Sequence, residues 1–161
     1  MAAVLDDEQA RWLLEIAPSI TFSSCDATGA PSLGQGIGIR VTAPSRVRVF
    51  MVETRNRAVV ADLRAGRPVA VVFTHSPTLR SLQLKAARAV ETALEPGDRE
   101  HVEAYVDAVV KAWVYAPEPF VRTLLATGPG PIVAFELEPS AAFDQTPGPQ
   151  AGAALPGGGA R

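Results

Sequence analysis

SITFSSCDATGAPSLGQGIGIRVTAPSRVRVFMV, residues 19 to 52, decides the fold. Ile20 and Phe22 recur at strand period, and Asp26-Ala27-Thr28-Gly29 then reads as a hairpin turn into a second strand over Leu33–Val41. The turn Ala43-Pro44-Ser45 leads into Arg46–Val52, where Arg46 and Arg48 alternate with Val47 and Val49. Three strands joined by short turns form an antiparallel meander.

Working outward, Asp6-x-x-Gln9 predicts a capping box at the start of a helix, with Trp12, Leu13 and Ile16 on one side and Pro18 as its stop. Thr54–Ala65 predicts a short helix, N-capped by Thr54 and ended by Gly66. Val69–Phe73 is a continuous apolar strand expected to be buried on both faces. Leu79–Leu94 reads as one long strand, with Leu82, Leu84 and Ala86 opposite Ser81, Gln83 and Lys85. Val102, Tyr105, Val106, Val109, Val110 and Trp113 form an amphipathic stripe on a helix opened by Asp98. A helix over Glu118–Thr127 with Gly128 as cap and a final strand over Ile132–Glu138 complete the pattern. This predicts an N-terminal helix over 1–17, an α+β barrel-like domain of six mainly antiparallel strands with peripheral helices over 18–146, and a disordered Gly/Pro/Ala-rich tail over 147–161.

The 161 residues fit one domain. Cys25 is the single cysteine, so no intrachain disulfide and no multi-cysteine zinc site can form. Two histidines 26 residues apart, with one cysteine in the chain, point away from a metal centre. No basic leader and no long apolar run is visible, so a soluble, cytoplasmic protein away from membranes is expected. Net charge is −2, yet residues 40–80 hold eight arginines against Glu53 and Asp62, a formal +6. Arginine forks match phosphate and other planar anions, although a solvated positive face has the same composition. Nucleic acid is not expected, because the chain is acidic overall and lacks a lysine-rich tail.

Three features bear on chemistry. Gly34, Gly36 and Gly38 alternate with Gln35, Ile37 and Ile39, so by strand period one face lacks side chains. Such a run marks either close approach by a flat ligand or curvature of the sheet. In Thr78–Lys85 the polar Arg80, Gln83 and Lys85 sit in an otherwise packing strand, and Gln83 carries both donors and an acceptor suited to a heterocycle edge. In Thr54-Arg55-Asn56-Arg57, two arginines meet the free N–H groups of a helix start, a favourable phosphate site. No residue stands out as a catalytic acid, base or nucleophile. Cys25 reads as a buried small hydrophobe, His75 as a turn residue and His101 as a solvated helix residue.

The order of these segments resembles the pyridoxamine 5′-phosphate oxidase-like, FMN-binding split-barrel family. Leu63–Phe73 and Thr78–Lys85 carry the likeness most directly, Phe143–Gly152 resembles a C-terminal signature of small members, and the match spans Pro18 to Gly152. The resemblance implies a split barrel, FMN as cofactor and a homodimer with the flavin at its interface. It implies that Gly36, Ile37, Gly38, Ile39 and Arg40 line the ring, that Gln83 contacts it, and that Arg55 and Arg57 hold the phosphate with help from Lys85. Departures occur at Gly66-Arg67-Pro68, at Ala86 and at Arg55-Asn56-Arg57. The segment by which pyridoxamine-phosphate oxidases grip their substrate has no counterpart, so that activity is not assigned. The implied function is an FMN-dependent oxidoreductase acting on a small molecule. A non-catalytic flavin- or haem-binding module and an F420-dependent reductase are the alternatives.

Overall fold

Asp6 and Gln9 build the first element as their spacing predicts. Gln9 N–H donates to Asp6 Oδ1 at 2.7 Å and Asp6 N–H to Gln9 Oε1 at 3.2 Å, a reciprocal cap on α1 (Asp7–Glu15). The computed structural model describes residues 4–15, 17–43, 46–113, 116–125 and 130–155. Ile16 of the expected stripe, Pro44 and Ser45 of the second turn, Gly128 and residues 156–161 lie outside the described residues.

The meander forms from β1 (Ser19–Cys25), β2 (Pro31–Ala43) and β3 (Arg46–Val52). Its first turn is closed by Asp26, whose Oδ1 accepts from Thr28 N–H, Thr28 Oγ1 and Ala30 N–H. Gly29 there takes φ +87°, a conformation glycine adopts without a Cβ penalty. A 3₁₀ turn over Glu53–Arg55 precedes α2 (Arg57–Arg64), so the helix begins three residues later than expected and Thr54 is not its cap. The remaining elements are β4 (Val69–Thr74), β5 (Ser81–Ala86), β6 (Ala89–Thr92), α3 (Asp98–Ala112), α4 (Glu118–Leu125), β7 (Ile132–Leu137) and β8 (Ala141–Asp144).

The sheet has eight antiparallel strands in the order β6-β7-β3-β2-β1-β4-β5-β8, two more than expected. The long strand over 79–94 breaks at Ala87-Arg88, and residues 141–144 add β8 beside β5. The break shapes the molecule. β5 and β6 lie six strand steps apart in the sheet, about 29 Å if it were flat. The chain from Ala86 to Ala89 spans at most about 11 Å. The sheet must therefore curl until its two ends meet, and the result is a split barrel.

Phe22, Phe73, Phe135, Ile20, Met51 and Leu84 fill its interior, each fully buried. Val59, Val60 and Leu63 of α2 are buried with them, and α2 packs on β1, β2 and β6. α3 lies on the other face of β2, with the expected Val102, Tyr105, Val106, Val109 and Val110 buried. The buried Tyr105 hydroxyl donates to the Pro18 carbonyl.

Residues 147–155 are not a loose tail. Gly152 N–H donates to Asp144 O and Leu155 N–H to Ala142 O, folding this stretch back on β8. The N-terminal segment joins the core as well, through Leu5 and Leu13. Among the described residues, no helix is long and apolar enough to cross a membrane.

Strand β4 is buried on one face only. Val69, Val71 and Phe73 point inward, whereas Ala70, Val72 and Thr74 remain half-buried. By register this outer face continues through Thr21 and Ser23 of β1, Gln83 and Lys85 of β5 and Phe143 of β8.

Candidate functional site

A cleft of about 400 Å³ opens where β2 runs past the end of β3, within the range typical of small-molecule sites. Thr21, Leu33, Gln35 and Ile37 line one side, the buried Asn56 lies at the bottom, and the exposed Arg55 stands with Leu124 and Leu125 of α4 on the other side. Leu33 is 71% exposed and Leu124 40%, so the rim combines two leucines with the exposed Arg55 above the buried Asn56 amide.

Asn56 organises the floor. The last β2–β3 pair in this direction is Gly36 with Met51, which leaves Gln35 without a partner on the β3 side. The buried Asn56 amide supplies one: its Oδ1 accepts from Gln35 N–H at 2.8 Å and its Nδ2 donates to Gln35 O at 3.2 Å. A third bond runs from Nδ2 to Val52 O at 2.7 Å. A Cβ on Gly34 would lie 2.6 Å from Asn56 Oδ1 and 2.5 Å from Val59 Cγ1, so this approach requires glycine there. Arg55, one residue earlier, reaches across the cleft, where Nη1 donates to Thr123 O at 3.1 Å and Leu124 O at 3.2 Å. A cation thereby meets the negative end of the α4 dipole.

The expected bare glycine face does not exist as such. The register shifts between Gly36 and Gly38, and this bulge turns Gly38 to the opposite side from Gly34 and Gly36. None of the three faces is open. A Cβ on Gly36 would lie 2.8 Å from Ile20 Cγ2 and 3.0 Å from Phe22 Cε2, and one on Gly38 3.1 Å from Phe50 Cδ2. The glycines admit neighbouring side chains and shape the barrel.

Of the nine residues singled out from sequence, Ile37 and Arg55 line the cleft. Gly36, Gly38 and Ile39 are buried in the sheet. Arg40 lies elsewhere, under α3, with Nε 3.3 Å from Asp98 Oδ1 and Nη2 donating to Gly97 O. Arg57 is exposed at the start of α2. Gln83 and Lys85 stand on β5, three strand steps or about 14 Å from β2. There Gln83 Oε1 accepts from Gln145 Nε2 at 3.1 Å, and Lys85 Nζ sits 4.7 Å from the Phe143 ring centre.

The positive segment is largely neutralised by ion pairs, most of them to acids outside it. Arg46 pairs with Glu136 and Glu138, Arg64 with Glu53 and Glu91, and Arg80 with Glu8. Arg48, 2% exposed, pairs with Glu95 and Asp98 at 2.5 and 2.9 Å and donates to Ala93 O. Asp98 is itself buried and also accepts from Glu95 N–H, so this cluster fastens α3 to β3.

Sequence reasoning missed Asn56, Gln35, Leu33 and the α4 leucines. The Arg55-Asn56-Arg57 stretch drew attention for its charges, while the neutral residue between them makes the contacts. His101 is not a solvated helix residue: its Nε2–H donates to Ile39 O at 2.7 Å and its ring packs on Phe50. Cys25, expected to be buried, is half-exposed. Among the described residues no cluster of metal-ligating side chains occurs.

No protein-family profile and no curated protein matches the chain. Solved structures do. A Lactobacillus delbrueckii protein bearing the pyridoxamine 5′-phosphate oxidase name is 18% identical over 89% of this chain and 99% of its own, with a TM-score of 0.54. Group A Streptococcus HupZ is 14% identical over 92% and 99%, with a TM-score of 0.53. A Clostridium acetobutylicum protein of the pyridoxinephosphate oxidase family, related to general stress protein 26, is 12% identical over 87% and 89%, at 0.50. Identities this low speak for the fold, and there the agreement is plain: the chain is an α+β split barrel whose structural neighbours are pyridoxamine 5′-phosphate oxidase-like proteins.

Proposed function

We propose that the chain binds FMN in the β2–α4 cleft as a homodimer and serves as a flavin-dependent oxidoreductase for a small molecule. The observation that carries this reading is the cleft itself, apolar at the Leu33–Leu124 rim and cationic at Arg55. A flavin mononucleotide has the matching polarity, a flat, largely apolar ring at one end and a phosphate at the other. Arg55 would hold the phosphate, and Gln35 and Ile37 would face the ring. Bound flavin supplies hydride chemistry, while the protein binds and orients it.

The half-buried outer face of β1, β4, β5 and β8 supports the dimer. Ala70 and Val72 lie there among Thr21, Gln83 and Phe143, in the middle of the sheet rather than at an edge. In a two-fold arrangement this face meets its own copy, and the Gln83–Lys85 strip of one protomer approaches the cleft of the other.

The test is a pair of affinities. Arg55→Ala should weaken FMN about ten- to a hundredfold, the worth of one charge-assisted hydrogen bond, and leave riboflavin nearly unchanged. Failure of the wild type to bind either flavin would overturn the reading. A second reading, a flavin-binding module without turnover, is favoured by one observation: among the described residues that line the cleft, Arg55 is the one ionisable side chain, and an arginine is a poor proton donor. Anaerobic mixing with a panel of hydride donors, NADH, NADPH and small amines and alcohols, separates the two readings, because an oxidoreductase bleaches its flavin absorbance with at least one and a module with none. A single intense haem band in the spectrum of the purified protein would replace both.

A further inference from the structure

We infer that Asn56 is the positioning residue for the anion grip: it acts through Arg55 and ties the strength of phosphate binding to the backbone of β2. The inference rests on the FMN reading of the cleft. Asn56 is 4% exposed and spends all three of its bonds on backbone, two on Gln35 and one on Val52. It thus continues the sheet by one side chain where β3 has ended. Its N–H also closes the 3₁₀ turn on Glu53 O at 3.0 Å. Thr54 and Arg55 lie inside that turn, so the Asn56 amide sets where the Arg55 backbone stands relative to Gln35 and Ile37. The guanidinium is steadied at its far end by the α4 carbonyls. An arginine has many rotamers to lose on binding an anion, and anchoring both ends removes much of that cost in advance.

Two substitutions reach Asn56 by different routes. Asn56→Ala deletes the amide. Gly34→Ala leaves the amide in place and drives a Cβ to within 2.6 Å of its Oδ1 and 2.5 Å of Val59 Cγ1, pushing the amide off Gln35 at some cost to α2 packing. Neither alters Arg55. Both should weaken FMN about tenfold while riboflavin, which has no phosphate, changes less than twofold; retained riboflavin binding also reports an intact fold. Equal loss of both ligands, or no loss of FMN, would overturn the inference. A wild-type measurement covers variants that fail to fold. The Gln35 amide proton should exchange more slowly with FMN bound than with riboflavin bound, because only FMN fastens Arg55 and with it the turn that presents Oδ1. Equal protection by the two flavins would count against Asn56. Absence of any flavin binding by the wild type would refute the cleft reading instead, so the two failures remain distinguishable.

Discussion

Gly36 shows how far a residue pattern carries. Alternating glycines in Gly34–Gly38 mark a strand that something approaches closely, and that much was legible. What approaches was not, because a period-2 argument assumes an unbroken ladder and the bulge between Gly36 and Gly38 flips the faces. Ile20 and Phe22 fill the space beside Gly36. Gly36→Val should therefore destabilise the fold, at roughly 1–3 kcal/mol for overpacking, and lower the melting temperature whether or not flavin is present. A variant with unchanged melting that no longer binds flavin would instead restore a ligand on that face. Asn56 was illegible for a related reason. Asparagine beside a helix start reads as a cap or turn residue, and its bonds to Gln35 span 21 residues, a separation no local pattern encodes.

Elements with local signals were read well. The Asp6–Gln9 cap, the Asp26–Gly29 turn and the Val102–Val110 stripe each carry their cause within one or two turns of chain. The run over 79–94 misled because its composition is strand-like throughout. Only the sheet's closure requires the bend at Ala87-Arg88, and closure is a property of all the strands together. β8 went unseen because its four residues, Ala141–Asp144, are too few to show a strand period and gain their place from pairing with β5. Helix α3 depends on a contact that composition hid, since Arg48 looked like one more surface arginine. Removing Asp98 leaves that guanidinium buried beside Phe50 with its main partner gone. Asp98→Ala should cost about 3–5 kcal/mol in urea unfolding, whereas replacing the pair together with Arg48→Met and Asp98→Leu should recover most of it.

For the whole molecule, the half-covered outer face of β4 corrects the expectation of a strand buried on both sides and turns it into a prediction. If the face meets a second copy, Val72→Asp should halve the mass measured by light scattering while leaving the monomer's fold intact. A wild type that is monomeric at micromolar concentration would dispose of the dimer. Stability should fall in acid. Side-chain and backbone bonds from Thr146 hold Asp144 below the usual carboxylate range, Arg64 does the same for Glu91, and Thr28 for Asp26. Groups depressed in the folded state stabilise it above their ordinary pKa and lose that contribution as pH drops through the depressed values. Melting temperature should hold steady above about pH 5 and decline below about pH 4. The sheet order has one more consequence, for synthesis. β6 joins the sheet only through β7, which also pairs with β3, so a nascent chain that has emerged as far as α4 carries β6 with no strand to receive it. The seam of the barrel is sewn by residues 132–137, and a chain stalled before them holds an open sheet with its apolar interior uncovered.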